Sequence, residues 1–303
     1  MNEDRIHLKP GTLWNQLVTR TRDAIAEGAL QPIGTRQESV EDGGMSFLVR
    51  VAENLQRKAE DKARQRVKSE KEGKAFNPFL PPEPELTVAE ISERHVAVLN
   101  KFNVVEHHLL LVTRHFEEQE ALLTFEDLEA LWVCMGEYGA LGFYNGGKVA
   151  GASQRHKHLQ MIPLPIAAGD PPTPLDPLIE RAAPGPGITT LDTLPFPHRF
   201  RRLEPDTLGD PQQAAARLRA DYLTMLEALG IPPVTVDGEA RQSAPYNLLL
   251  TRRWMLVVPR SREHCGSVSV NAMGFAGSLF VRDEAELQWV RETGPMHMLQ
   301  DVV

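Results

Sequence analysis

Cysteine is scarce in this sequence: only Cys134 and Cys265 occur among 303 residues, far apart in the chain. Two such cysteines argue against a disulfide framework and against a cysteine-based zinc site, and we expect both to be buried, reduced thiols. No apolar run approaches the roughly 20 residues that span a bilayer, so no membrane partner is expected. The N-terminal residues Glu3, Asp4 and Arg5 lack the apolar core of a signal peptide, which predicts a cytoplasmic protein.

Positive charge is also in short supply. The chain has 33 Lys and Arg against 41 Asp and Glu, a net charge of −8. A general nucleic-acid binder needs a basic surface to neutralise phosphates, so no nucleic-acid partner is expected. The hydrophobic content of 42% and the charged content of 24% describe a soluble globular protein. The length suits two fused halves that share a core.

The most informative stretch is residues 151–165, which read GASQRHKHLQMIPLP. In a strand, successive side chains point to opposite faces. His156, His158 and Gln160 would therefore share one face, with Lys157, Leu159 and Met161 on the other. Three polar side chains on one face cost burial free energy unless they are used.

Small residues precede this pattern at Gly146, Gly147, Gly151 and Ser153. Such residues let backbone N–H groups approach an anion closely, so the stretch indicates a nucleophile beside a phosphate cradle. Two other interpretations stay open. The histidines could be metal ligands, although no cysteine or acidic residue lies nearby and zinc sites use three or four ligands. They could also be structural residues.

The His-x-His-x-Gln pattern resembles the active-site strand of the histidine triad superfamily, in the transferase branch where Gln replaces the third His. The longer match from Tyr144 through Pro165 is similar to the ATP adenylyltransferases, also called diadenosine tetraphosphate (Ap4A) phosphorylases. Further segments with this resemblance, which spans most of the chain, are Asn77–Phe79, Leu99–Val105, His108–Thr113, Tyr246–Thr251 and Asn271–Gly277.

The resemblance implies roles for the motif. His158 would attack the α-phosphorus of a nucleotide and become adenylylated, His156 would orient it, and Gln160 would hold the phosphoryl oxygens. The implied nucleotide- and phosphate-binding residues are Asn100 at the ribose, Lys101, Asn145, Gly151, Ser153 and Gln154. Asn100 and Asn145 could instead be turn-forming residues. No metal-ligating residue is predicted, and Arg252, Arg253 and Arg260 are candidates for the phosphate of the second substrate.

The implied activity is phosphorolysis of Ap4A to ATP and ADP through a covalent adenylyl-histidine. Because the amide of Gln160 cannot titrate, it favours transfer over hydrolysis. The expected partners are a dinucleoside polyphosphate, phosphate, ATP and ADP. No cofactor is required, although Mg²⁺ could accompany the polyphosphate. The alternatives are a sugar-nucleotide or GDP-hexose enzyme of the same branch, a silent nucleotide-binding protein and a metal-dependent hydrolase.

The predicted fold is α+β, a mainly antiparallel sheet flanked by helices and built from two fused histidine-triad-like units. The predicted segments are an N-terminal helix, strand and charged or Pro-rich connector (1–94), a catalytic half (95–165), a Pro-rich crossing loop (166–209) and a second half without a nucleophile (210–303). The halves would share one core.

Local patterns predict individual elements. Residues 8–29 form a helix with an apolar face at Leu13, Trp14, Leu17 and Ile25, residues 47–52 a strand, and residues 78–84 an extended connector. The charged stretch 55–74 is a solvated helix or loop, or guides a polyphosphate to the site. The later elements are hairpins at 95–113 and 246–258, helices after the caps at Thr124 and Asp210, and strands at 267–270 and 278–282.

Overall fold

The computed structural model describes residues 6–52, 77–169, 171–204 and 208–303. The helices are α1 (Leu13–Ala26), α2 (Phe125–Glu137), α3 (Asp176–Ala182), α4 (Pro211–Ala228), α5 (Ala272–Phe275), α6 (Glu284–Thr293) and α7 (Pro295–Asp301). The strands are β1 (Thr35–Asp42), β2 (Met45–Ala52), β3 (Thr87–Glu90), β4 (His95–Leu99), β5 (Leu109–Thr113), β6 (Ala140–Gly146), β7 (His158–Pro163), β8 (Ile188–Thr189), β9 (Arg199–Arg202), β10 (Pro233–Val236), β11 (Glu239–Gln242), β12 (Tyr246–Leu250), β13 (Trp254–Pro259), β14 (His264–Cys265), β15 (Val268–Ser269) and β16 (Ser278–Val281). The predicted charged stretch 55–74 lies outside the described residues.

A nine-stranded antiparallel sheet carries the two halves in the order β3-β4-β5-β7-β6-β12-β13-β9-β8. In the first half, hairpin β4–β5, helix α2 and strands β6 and β7 follow one another. In the second half, hairpin β8–β9, helix α4 and strands β12 and β13 repeat that order. The halves join where β6 pairs with β12. The predicted α+β fold of two fused, similar units is confirmed.

The second unit keeps the strand but not the polar face of the motif. His158 is the first residue of the six-residue strand β7 and Gln160 the third. The matching positions of β13, also six residues long and also ending in proline, are Trp254 and Leu256. Both side chains are buried in the apolar core. The second unit therefore has no nucleophile at the equivalent place.

The prediction of a crossing loop over 166–209 needs correction, because this segment contains α3, β8 and β9. Strands β8 and β9 form the far edge of the sheet, so the second unit begins at Ile188 rather than at 210. The many prolines of this segment favour a loop. Yet Pro177 lies in the first turn of α3, where its missing N–H costs nothing.

Strand β6, which the sequence patterns do not predict, lies near the centre of the sheet, between β7 and β12. All seven of its residues are buried. A strand buried on both faces shows no alternation of polar and apolar residues, so periodicity could not reveal it. The turn predicted from Gly146 and Gly147 begins where this strand ends.

The N-terminal helix is shorter than predicted, and it presents a different face. It begins at Leu13 and buries Leu13, Leu17, Thr21 and Ala24. The side chain of Trp14 is 37% exposed and that of Ile25 is 47% exposed, so neither belongs to the buried face. The Pro-rich connector is also corrected: it folds into turns and a short 3₁₀ helix, Pro84–Leu86.

Hairpins and helix caps follow the sequence closely. Strands β4 and β5 pair with Leu99 opposite Leu109, as predicted. Helix α2 begins with a reciprocal capping box between Thr124 and Asp127. The side chain of Asp210 caps α4. These predictions are confirmed because each depends on residues close together in the chain.

Two apolar clusters cover the two faces of the sheet. Helices α2 and α4 pack together over one face. The second cluster, which includes Ile162 of β7, joins the other face to the three-stranded sheet β1-β2-β16 and to α5. His158 and Gln160 share the face of Ile162, whereas Lys157 and Leu159 face α2. Among the described residues, no helix is both long and apolar enough to cross a bilayer.

Candidate active site

His158 is oriented by the backbone of His156. The Nδ1 of His158 lies 2.8 Å from the carbonyl oxygen of His156. A carbonyl oxygen only accepts, so Nδ1 carries the proton and the lone pair is on Nε2. Burial lowers the pKa of His158 to about 4. The ring is therefore neutral at pH 7, which is the form that can act as a nucleophile.

The ring of His156 is held by other partners. Its Nε2 donates to the carbonyl oxygen of Thr113 at 2.8 Å, and its Nδ1 lies 2.9 Å from the Nδ2 of Asn77. Burial lowers the pKa of this ring as well. His156 precedes β7 and bridges to Glu118. Its orienting contact with His158 is therefore made by its peptide carbonyl, while its imidazole anchors the segment.

Two phenylalanine rings surround the histidines. The ring of Phe79 lies 5.7 Å from the ring of His156 and 5.5 Å from that of His158. Phe116, whose side chain is 47% exposed, lies 5.5 Å from His156. These apolar rings help to desolvate the imidazoles and disfavour their charged forms. The segment Asn77–Phe79, noted in the sequence only for its family resemblance, thus contacts both histidines.

Gln160 and Asn100 are connected through His108. The Nε2 of His108 lies 3.0 Å from the Oε1 of Gln160, and its Nδ1 lies 3.1 Å from the Nδ2 of Asn100. The structure therefore brings together two residues that the sequence had assigned separately, to phosphoryl oxygens and to ribose. The sequence offered His108 only as the first residue of a strand motif and gave it no role.

Gln119 is a second residue that the sequence did not reveal. Its Oε1 accepts a hydrogen bond from the backbone N–H of His158 at 2.9 Å. Its Nε2 donates to the carbonyl oxygens of Asn145 and His158, at 2.9 and 3.2 Å. The ladder between β6 and β7 ends at the pair of Phe143 and Gln160, and Gln119 continues it towards His158. No pattern marks Gln119, which lies in an irregular segment.

Asn145 lies where the two halves of the sheet join. Its Oδ1 accepts hydrogen bonds from Nδ2 of Asn247, at 2.8 Å, and from the N–H of Ala272, at 3.0 Å. The residue is buried, and it pairs directly with Asn247 across the junction of the two halves. Asn145 is therefore a cross-link between the units, and its contact with a nucleotide or phosphate stays a prediction.

The Gly-rich turn uses most of its own backbone donors. The N–H groups of Ala150 and Ala152 donate hydrogen bonds to the carbonyl oxygen of Gly147, at 3.1 and 3.2 Å. The N–H of Gly151 donates to the carbonyl oxygen of Lys148 at 2.9 Å. The N–H of Gly151 therefore closes the turn, and the predicted part of Gly151 in phosphate binding is limited to the close approach that its missing side chain allows.

Ser153 and Gln154 follow this turn directly. Their backbone N–H groups donate to none of the residues that the structure describes. Ser153 is exposed and Gln154 is half-buried. These two amides, with the Ser153 hydroxyl, are therefore the part of the predicted cradle that remains available to an anion.

The predicted cationic residues are held by other groups. Arg252 packs over the indole of Trp132, 3.8 Å from the ring centroid. Arg253 pairs with Glu180 at the surface. Arg260 is buried and donates to the Oδ1 of Asn247 at 2.6 Å. These contacts show how each arginine side chain is held, and binding of the second phosphate by any of them stays a prediction.

Lys101 forms an ion pair with Glu83, whose carboxylate oxygens lie 2.8 and 2.9 Å from its Nζ. It follows Asn100 at the end of β4, so it lies at the same end of the sheet as the predicted ribose contact. Its side chain is 28% exposed, and its ammonium keeps access to solvent.

A cleft of about 550 Å³ lies at the end of β7. Its walls include Val105, Pro165 and Ile166, with the polar side chains of Gln37 and Arg50. Arg50 donates to the carbonyl oxygen of Ile166 at 2.9 Å, and burial lowers its pKa. At about 3.3 Å per strand residue, the cleft begins roughly 16 Å from His158, a distance comparable with the length of a nucleotide.

The histidine pair does not form a metal site with its neighbours. No group of three or more His, Cys, Asp or Glu side chains within residues 6–52, 77–169, 171–204 and 208–303 could hold a metal ion. Both ring nitrogens of His156 already contact Thr113 and Asn77.

The duplicated sheet unit and the oriented imidazole of His158 are the features that the histidine triad resemblance predicts for a nucleotidyltransferase. The family model for the Ap4A phosphorylase N-terminal domain matches residues 3–181, and that for the ATP adenylyltransferase C-terminal domain matches residues 192–303. The chain therefore belongs to the Ap4A phosphorylase family of nucleotidyltransferases. This confirms the resemblance that the sequence motifs indicated.

Relatives from Saccharomyces cerevisiae agree. The chain is 29% identical, over 73% of each protein, to diadenosine 5',5'''-P1,P4-tetraphosphate phosphorylase 2. It is 25% identical to Protein APA1, over 71% of this chain and 72% of the relative. The crystal structure of yeast Ap4A phosphorylase Apa2 in complex with Ap4A has a TM-score of 0.74 and 24% identity, covering 97% of this chain and 98% of the other. That likeness shows the fold.

Proposed function

We propose that this protein phosphorolyses Ap4A to ATP and ADP by a ping-pong route through an adenylyl-His158 intermediate. One observation carries the proposal: the hydrogen bond from Nδ1 of His158 to the carbonyl of His156 leaves Nε2 as the nucleophilic atom. Membership of the family supports the substrate and the reaction. The relative named diadenosine tetraphosphate phosphorylase supports them too.

In the first step, Nε2 of His158 attacks the phosphorus of a terminal adenylyl group. The P–N bond forms as the bond from that phosphorus to the bridging oxygen breaks, and ATP leaves with the electron pair. In the second step, an oxygen of inorganic phosphate attacks the same phosphorus. The P–N bond breaks, its electrons return to Nε2, and ADP leaves.

The transferred nucleotide has a natural path along β7. Its phosphate would lie at His158, where the N–H groups of Ser153 and Gln154 can donate. Its ribose would lie at Asn100, and its base would occupy the cleft beyond Gln160, with Gln37 and Arg50 as polar contacts. Lys101 would contribute positive charge at this end. This path uses every predicted binding residue except Asn145 and Gly151.

Phosphate rather than water is the expected acceptor. The amide of Gln160 cannot take a proton from water, whereas phosphate is already an anion and needs no general base. No metal acts on the nucleophile in this proposal. Mg²⁺ would be bound with the polyphosphate as its counter-ion, and phosphate-free trapping with and without Mg²⁺ measures its contribution. We also propose a cytoplasmic location, supported by two free, buried cysteines.

The deciding experiment traps the intermediate. Wild-type protein is mixed with Ap4A labelled at the α-phosphorus, without phosphate, and is then quenched in alkali because phosphoramidate bonds survive there. We expect one adenylyl group per chain, released as labelled ADP when phosphate is added. His158→Ala should form no adduct and lose at least about a thousandfold in turnover.

His264→Ala is the matched control, because this histidine is exposed and lies outside the motif. It should label like the wild type. Labelled AMP as the main product at millimolar phosphate would identify a hydrolase instead. Turnover without any adduct in a rapid quench would rule out the covalent route.

A further inference from the structure

His108 lies between the residue predicted at the ribose and the residue predicted at the phosphoryl group. It is buried, directly before β5, and contacts Gln160 through Nε2 and Asn100 through Nδ1. Its two ring nitrogens are therefore used by the two residues that the proposed mechanism places at the phosphoryl group and the ribose.

The polarity of this network can be worked out from its atoms. The Oε1 of Gln160 can only accept, so the Nε2 of His108 must carry a proton. The Nδ2 of Asn100 can only donate, so the Nδ1 of His108 is a bare acceptor and the ring carries a single N–H. The proton position in one of the two hydrogen bonds therefore determines the proton position in the other. The hydrogen bonds run in one direction, from Asn100 through His108 to Gln160.

This direction decides what Gln160 presents to the site. With its oxygen held by His108, its Nε2 amino group points elsewhere, and among the described residues nothing accepts from it. A phosphoryl group offers only acceptor oxygens. An amide rotated by 180° would present its oxygen to that group and repel it.

We propose that His108 is a positioning residue that holds the amide of Gln160 with its NH₂ group towards the transferred phosphoryl group. This inference rests on the function proposed above. Preorganised donors act mainly on charge that develops in the transition state, so His108 should affect the rate of adenylyl transfer more than substrate binding.

Two near-isosteric substitutions test the proposal. Gln can place an amide NH₂ where Nε2 of His108 lies, whereas Asn can place one only near Nδ1. We therefore expect His108→Gln to retain adenylylation within about threefold of the wild type. His108→Asn should lower the single-turnover rate constant about tenfold to a hundredfold, with KM changed less than threefold, since removing one oriented donor has effects on that scale. Thermal unfolding of both variants shows whether they fold alike.

A double-mutant cycle separates positioning from structure. If His108 acts only through Gln160, His108→Asn should cost little further rate in a Gln160→Ala background. Equal rates for His108→Gln and His108→Asn, or costs that simply add in the cycle, would overturn the positioning role. The α-phosphorothioate diastereomers of Ap4A give an independent readout. Their rate ratio should shrink in His108→Asn as in Gln160→Ala, and an unchanged ratio in His108→Asn contradicts the proposal.

Failure of this inference differs from failure of the proposed function. If the wild-type protein forms the adduct and the two His108 variants react at equal rates, only the positioning role is refuted. If the wild-type protein turns over Ap4A without forming an adduct, both the covalent route and the positioning role are refuted.

Discussion

The carbonyl oxygen of His156 accepts a hydrogen bond from Nδ1 of His158 at 2.8 Å, and this bond selects the tautomer of His158, the proposed nucleophile. The chain is nearly extended here, so the carbonyl of His156 lies within reach of the ring of His158, two residues further on. The role of the first histidine thus depends on its backbone, and its side chain serves to hold that backbone through Thr113 and Asn77.

The pH dependence of the reaction should reflect the depressed pKa of His158. Its protonated form predominates only below about pH 4. We expect the limb of kcat/KM that belongs to this group to have its midpoint near pH 4, and not near the ordinary value of 6.5. Initial rates across pH 3.5–8, with circular dichroism confirming that the protein stays folded, measure it. A midpoint between 6 and 7 would contradict a desolvated nucleophile.

The same shift affects stability, with a definite sign. Between pH 6.5 and about 4 the unfolded chain protonates His158 while the folded chain does not. The free energy of unfolding should therefore fall as the pH drops through this window. His158→Gln should lessen this fall relative to the wild type. Urea titrations of both proteins at pH 7 and pH 5 give the comparison, and identical pH dependences would contradict it.

Asn100 should discriminate ribose from deoxyribose. Its Nδ2 is used by His108, which leaves Oδ1 to accept from a ribose hydroxyl. A hydrogen bond between neutral groups contributes about 0.5–1.5 kcal/mol, so Asn100→Ala should lower kcat/KM for Ap4A a few-fold to tenfold more than for its 2′-deoxy analogue. Asn100→Ala also removes the contact to His108. That loss affects both substrates, so it cancels in the ratio of their kcat/KM values. Equal losses would place the ribose elsewhere.

Lys157, between the two motif histidines, should be critical for stability. Its Nζ lies 2.5 Å from Oδ2 of Asp127, and both side chains are fully buried. Burial alone would raise the pKa of Asp127, but Lys157 and His95 outweigh it and hold that pKa well below its usual range. Removing one partner leaves a buried charge, so Lys157→Met should lower the free energy of unfolding by about 3–5 kcal/mol.

Urea unfolding checks this value, and Lys148→Met, at an exposed position, is the control. A loss below about 1 kcal/mol would mean that water or a rearranged side chain neutralises Asp127. The double variant Lys157→Met/Asp127→Leu should recover part of the loss, because no uncompensated charge then remains.

Gly151 should not tolerate a side chain. Its φ is +90°, and a Cβ there would lie 2.6 Å from Cβ of Asn271. Gly151→Ala should therefore destabilise the fold by about 1–3 kcal/mol and reduce adenylylation, because the turn leads directly into Ser153. Gly185→Ala is the matched control, since nothing lies within 4 Å of its added Cβ. Thermal unfolding and the trapping assay measure both, and parallel behaviour would refute the constraint.

The sequence alone predicted what local signals encode. The alternation at His156, His158 and Gln160 indicated the polar strand face, and the capping box at Thr124 marked the start of α2. Residues close in the chain carry such signals because hairpin registers and helix caps are formed by near neighbours. The motif resemblances extended this to the family and to the proposed chemistry.

Tertiary structure alone decided which distant residues complete the site. His108 reaches Gln160 across 52 residues, and Asn145 meets Asn247 across 102. Strand β6 shows no periodicity because its two faces are buried in the two apolar clusters on either side of the sheet. Pairing of strands brings these groups together, and no pattern along the chain records which strand will lie beside which. The motif alone indicated His158 as the proposed nucleophile, whereas the distant residues that surround its ring, such as Phe79, became known only from the assembled fold.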